Sequence, residues 1–217
     1  MSVVAVARPP LLEDVASVEP DLKRATSRTG VRMTVEQFLD LPPDPDFDRW
    51  LVNGELWEKP MTVRNRFHTN AEFNVAGELK AWLKTQPEPR LWGGSGEAGV
   101  RLPGRETAVG VDVALFDAST AADQPPPERG RSTLWVGVPV LAVEVISPSD
   151  EEEEISEKVL DYLDAGVAQV WLVRPILETV TVHRPGTPPV IYSGDQTLPG
   201  DPELPGFAVR AGDLFGG

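Results

Sequence analysis

The sequence predicts an α/β (α+β) fold, a sheet packed with a few helices, on three observations. Five short runs rich in Val, Leu and Ala read as strands, at residues 98–102, 109–116, 140–146, 169–173 and 179–184. Two stretches, about 67–85 and 154–165, carry apolar residues at helical spacing. The second helix falls between two of the strands, and that β-α-β order implies a crossover unit. At 217 residues the chain suits one domain with a sizeable core.

Residues 1–30 mix Pro, Ala, Arg and Glu without a stable period and read as a poorly ordered arm, with one domain over 31–217. Thr34 and Gln37 have capping-box spacing, and Val35, Phe38 and Leu39 make a short amphipathic helix that ends before Pro42. In RWLVNGELWEK, residues 49–59, Asn-Gly stands between two apolar-containing runs and predicts a tight hairpin, with Glu55 just past the turn. The helix over 67–85 buries Ala71, Val75, Leu79, Trp82 and Leu83, and His68 lies one turn before Ala71, on or near that face. The helix over 154–165 has the stripe Ile155, Val159, Tyr162 and Leu163 and stops at Gly166. Residues 118–133 and 185–205 read as loops.

The composition removes several classes of function. No apolar segment approaches the roughly 20 residues that cross a bilayer. The N-terminus lacks a basic start followed by a long apolar region, so a soluble, cytoplasmic protein is expected, with no membrane partner. Cysteine is absent, which excludes thiolate metal sites and cysteine nucleophiles, so a metal must be held by oxygen or imidazole. The net charge of −14 weighs against broad attraction to a nucleic-acid backbone. The acidic residues are clumped, however, notably at 149–157, and a local basic cleft is compatible with the total.

Two strands each carry one carboxylate within an apolar run: Asp112 in VGVDVALF and Glu144 in VLAVEVI. A buried carboxylate is costly unless it is paired or binds a metal. If the strands are neighbours, the two acids can hold a hard divalent cation such as magnesium, with the carbonyl of Val145 as a third oxygen. Each acid taken singly also fits a strand-edge residue that reaches solvent or a nearby Lys or Arg. Lys158 lies on the edge of its helix's apolar stripe and could reach back over the strand ends, to stabilise phosphate charge or orient water. It fits equally a surface lysine paired with Glu154 or Asp161. Arg64, Arg66, Arg101 and Arg105 fall on loops or strand ends where they could meet phosphates.

These residues, taken in order, resemble the Uma-type restriction endonucleases, a branch of the PD-(D/E)XK nuclease superfamily. MTVEQFLDLP resembles the family's opening helix, WLVNGELWEKP its hairpin, GVDVALF the first acidic strand and AVEVISPSD the second. EEISEKVLDYLDAGVAQVWLVRP resembles the segment with a lysine, here Lys158, and a tyrosine four residues on, here Tyr162. LPGFAVRAGDLF resembles the family's ending. Two positions depart from the superfamily pattern: Val111 stands where proline precedes the aspartate, and Ile146 stands where the strand lysine belongs. In this branch the lysine is displaced to the following helix, at the position of Lys158.

The resemblance implies a restriction-endonuclease-like core: a twisted mixed sheet flanked by helices, with an N-terminal helix and hairpin. It implies an endonuclease hydrolysing phosphodiester bonds in DNA with magnesium, or manganese in its place. Asp112 and Glu144 would hold the metal, Lys158 would assist the nucleophile, and Glu55, directly or through water, would complete the coordination. His68 would contact a phosphate or support Glu55, although a structural histidine at a helix start fits as well. Tyr162, Arg64 and Arg66 join the substrate-contacting group, and a homodimer would concentrate the few basic residues in one cleft. A nuclease fold that binds without cutting is the competing expectation. A glycosidase with two carboxylates ranks below both, because no aromatic-lined sugar groove is evident.

Overall fold

The computed structural model of the chain describes residues 27–61, 63–88, 91–126 and 133–216. Its elements run β1 (Ser27–Arg32), α1 (Val35–Leu39), β2 (Phe47–Val52), β3 (Glu55–Pro60), α2 (Arg66–Leu83), β4 (Trp92–Leu102) and β5 (Thr107–Phe116). There follow α3 (Ala118–Ala122), β6 (Trp135–Val136), β7 (Leu141–Val145), α4 (Glu152–Asp164), β8 (Gln169–Arg174) and β9 (Thr179–His183). The last elements are β10 (Val190–Ser193), β11 (Thr197–Pro199), β12 (Ala208–Arg210) and a 3-10 turn, Ala211–Leu214. Among the described residues no helix is long and apolar enough to cross a membrane.

Local chemistry sets the boundaries that matter for the site. At α1 the Thr34 hydroxyl accepts from the Gln37 N–H while the Gln37 carboxamide oxygen accepts from the Thr34 N–H, closing the predicted capping box. In the hairpin Asn53 and Gly54 both have positive φ, 50° and 79°, as a two-residue turn that follows strand twist requires. Asn65 caps α2 by accepting from the N–H groups of Phe67 and His68. From there Ala71, Val75, Leu79 and Leu83 are buried along one stripe, with His68 at its head.

One ten-stranded mixed sheet runs in the order β1-β3-β2-β5-β7-β8-β9-β10, with β4 along the other edge of β5 and β6 beside β4. Strands β7 and β8 are parallel and joined by α4, the predicted crossover. Both faces of the central strands are covered. Val113, Leu115, Leu141 and Val143 pack with α2 and the C-terminal segment. Val111, Ala114 and Ala142 pack with Ile155, Val159 and Tyr162 of α4. Double burial is why these strands read as unbroken apolar runs instead of alternating ones.

One irregularity positions everything that follows. Strand β4 pairs along the whole of β5, so β2 and β7 share the opposite edge of β5. Strand β2 meets that edge only at Leu51↔Ala108, and β7 only from Val113↔Val143 to Leu115↔Leu141. Between them the edge of β5 carries no ladder, and a cleft of about 670 Å³ opens there.

Three expectations are corrected. The ordered domain begins before residue 31, because β1 starts at Ser27 and pairs with β3; residues 1–26 of the expected arm lie outside the described residues. The loop read at 118–133 contains α3, capped by Asp117 accepting from the Thr120 N–H, and residues 127–132 lie outside the described residues. The loop read at 185–205 contains β10, which extends the sheet, and β11, which pairs with β12.

Candidate functional site

Asp112 and Glu144 lie at the mouth of the cleft, where β5 and β7 part. Both are buried, at 5% and 8% exposure. Beyond Val113↔Val143 the Val145 N–H finds no ladder partner on β5 and donates instead to Asp112 Oδ2, at 2.7 Å. The carboxylate thus fills the gap the diverging strands leave. On the other side of Asp112, β4 carries a bulge in which Gly96 and Glu97, both at positive φ, oppose the single residue Asp112.

Glu144 is held from α4. Lys158 Nζ donates to Glu144 Oε2 at 2.7 Å and to the Gly110 carbonyl on the open edge of β5 at 3.3 Å. The Tyr162 hydroxyl donates to Glu144 Oε1, also at 2.7 Å. Ile146, which holds the strand position where a lysine was expected, packs against the α4-side core. The helix therefore delivers the cation that the strand lacks.

His68 and Glu72 reach Asp112 from α2. His68 is 1% exposed, and its Nε2 lies 3.6 Å from Asp112 Oδ1 and 3.7 Å from Glu72 Oε2, with no hydrogen-bond partner among the described residues. Its Nδ1 lies 3.2 Å from the Ser147 hydroxyl. Glu72 Oε1 accepts from the Gly96 N–H of the bulge at 2.8 Å. One ligand atom from each of His68, Glu72 and Asp112 falls within 4.8 Å of the others, a set able to hold a metal ion.

The carboxylates differ in proton affinity. Burial works to raise the pKa of Asp112, but the neighbouring His68 imidazole, the Val145 N–H and the Lys158 charge outweigh it and hold the group below its ordinary value. Burial pushes Glu144 above its ordinary value despite Lys158, and the Asp112 charge adds to the rise. Burial and then the Glu144 charge push the Tyr162 phenol well above its usual range. Tyr162 therefore stays a hydrogen-bond donor.

Not every expected residue joins this cluster. Glu55 opens β3, paired with Val52 and Arg32, and no described hydrogen bond or ion pair ties it to Asp112 or Glu144. His68 accordingly stands beside Asp112 and not beside Glu55. Tyr162 is 1% exposed with its hydroxyl committed to Glu144, so it supports that carboxylate from beneath instead of meeting substrate. Arg64 lines the cleft in an ion pair with Glu97. Arg66 lies over the Phe67 ring, 4.7 Å from its centroid, and Arg101 pairs with Glu36 at 2.8 Å. Glu72 and Ser147 escaped the sequence reading. The signal for Glu72 was its place one helical turn after His68.

Comparisons with known proteins bear on the family and the fold. Residues 35–212 match the family described as "Uma2: Putative restriction endonuclease". The fold is similar to a crystal structure of "a putative nuclease belonging to DUF820" from Anabaena variabilis ATCC 29413, with a TM-score of 0.67 and 20% sequence identity. That likeness covers 84% of this chain and 97% of the other. A search among curated proteins finds no match.

Proposed function

Because this chain belongs to the Uma2 family, we propose that it is a metal-dependent endonuclease hydrolysing phosphodiester bonds in DNA, with magnesium or manganese as the cation. Asp112 and Glu144 hold the cation, and Val145 completes the strand end that carries them. The metal would polarise the phosphate and lower the pKa of a bound water. Lys158 supplies an ammonium beside Glu144, where it stabilises charge developing on the phosphate or orients the attacking water. Tyr162 fixes the Glu144 carboxylate, and Arg64 takes a phosphate when it leaves Glu97. In this reading the protein acts in the cytoplasm as a homodimer, which the scarcity of basic residues supports, since two clefts together gather more of them.

The observation that carries the reading is the contact of Lys158 Nζ with Glu144 Oε2, 2.7 Å, made from a helix while Ile146 occupies the strand position. The test is incubation of the protein with plasmid, linear and single-stranded DNA, with magnesium or manganese. Glu144→Ala and Lys158→Ala should each lose about 10²- to 10³-fold in cleavage rate. Full-rate cleavage by Glu144→Ala would sink the assignment. A second reading, a module that binds without cutting, draws on the cleft's cations, Arg49, Lys59, Arg64 and Lys158, each of which is paired with an acid. No cleavage under any of these conditions would favour it.

A further inference from the structure

We propose that His68 is itself a metal ligand: His68 Nε2 and Glu72 join Asp112 in holding the same divalent cation, and the imidazole selects manganese over magnesium. The proposal rests on the site being a metal centre, not on the cleavage of DNA.

Each of the three side chains has one polar atom anchored and one left facing the others. Asp112 commits Oδ2 to the Val145 N–H and turns Oδ1 towards His68. Glu72 commits Oε1 to the Gly96 N–H and turns Oε2 towards His68. His68 engages Nδ1 with the Ser147 hydroxyl and leaves Nε2 buried between the two carboxylates, without a hydrogen-bond partner among the described residues. A histidine that binds a metal through one nitrogen needs its other nitrogen fixed, and Ser147 is placed to accept from Nδ1–H, which puts the lone pair on Nε2. Ser147 is itself held by the turn after β7, where its N–H donates to Asp150 Oδ2 at 2.7 Å and Lys59 pairs with Asp150.

Charge and distance fit a divalent ion. Two carboxylates, buried Asp112 and partly buried Glu72, face one imidazole here, and bringing acids together away from water is costly without a cation. Ligands about 2 Å from one ion stand up to roughly 4 Å apart. The three facing atoms lie within 4.8 Å of one another, so modest side-chain movement closes the shell. Magnesium is a hard cation that favours oxygen and keeps its waters. Imidazole suits transition metals, and manganese also accepts carboxylate oxygen. A buried imidazole in the shell therefore tilts the choice to manganese.

Electron spin echo measurements on the 217-residue chain loaded with manganese(II) test this without reference to cleavage. The chain has two histidines, so a nitrogen modulation from imidazole has two sources to separate. The expected result is a modulation in the unaltered protein that persists in His183→Ala and vanishes in His68→Ala. Competition by calorimetry should show manganese binding at least about tenfold tighter than magnesium, with His68→Ala reducing that preference. Absence of nitrogen modulation from the unaltered protein, which depends on no variant folding, overturns the proposal. So does equal affinity for the two ions, or failure to bind manganese. A nitrogen-ligated ion in a protein that cuts no DNA would uphold this inference while removing the nuclease reading.

Discussion

At Glu144 burial raises the pKa of a carboxylate that Lys158 and Tyr162 only partly compensate. An acid with a raised folded-state pKa costs nothing below its unfolded value, about 4.5 here, because both states are then protonated. Its full cost appears above the folded-state pKa, where both states are charged. Glu144→Gln removes that charge and keeps an acceptor for the Tyr162 hydroxyl. The metal-free variant should therefore melt above the unaltered protein once pH rises past about 4.5. Thermal melts across pH should show the gain fading as pH falls through the raised folded-state pKa and gone below about 4.5; a gain independent of pH would mean that charge is not the cause. Asp112 and Glu144 were legible in the sequence because an acid inside an apolar strand is an energetic anomaly. Glu72 was not, because a glutamate on a long helix is ordinary until the fold sets it against Asp112. Ser147 was visible only as part of a turn, since a hydroxyl's partner is a matter of three-dimensional contact.

The β2–β3 hairpin shows how far element-level reading extends. Asn53-Gly54 dictated the turn, and the register Val52↔Glu55 follows from it. A Cβ at Gly54 would stand 3.3 Å from Arg32 Nη2 and 3.4 Å from the Met33 carbonyl, at a φ of 79°. Gly54→Val should therefore cost about 1–2 kcal/mol, read as a lowered urea midpoint with an unchanged slope. A neutral outcome would show that the turn relaxes to another type. The long helices and central strands were legible because α2 and α4 each bury one stripe and the central strands bury both faces. Strands β10, β11 and β12 were not: each has three or four residues and is partly exposed, too short for a period of two to declare itself.

Across the whole molecule the charge of −14 was plain from composition, but its arrangement was not. Arg49 is held by Asp44 and Glu58, Lys59 by Asp150, Arg64 by Glu97 and Lys158 by Glu144, so the cleft's cations arrive already partnered. Few of them are left to displace counterions from a phosphate backbone. A plot of log DNA affinity against log salt should therefore have a slope no steeper than about −2, against roughly −0.9 per phosphate neutralised. Filter-binding or anisotropy titrations give that slope, and a steeper one would place the contact surface on another face. The break in the sheet edge has one more consequence. The hairpin is laddered to β5 by the single pair Leu51↔Ala108, steadied by the turn bonds to Glu106 and Thr107. Beyond that pair it is held by packing and charge: Leu51 clusters with Val35 and Ala108, Trp50 and Val52 pack against the α4-side core, and Lys59 pairs with Asp150. The width of the opening between β2 and β7 is therefore set by side-chain contacts across the cleft and not by a backbone ladder.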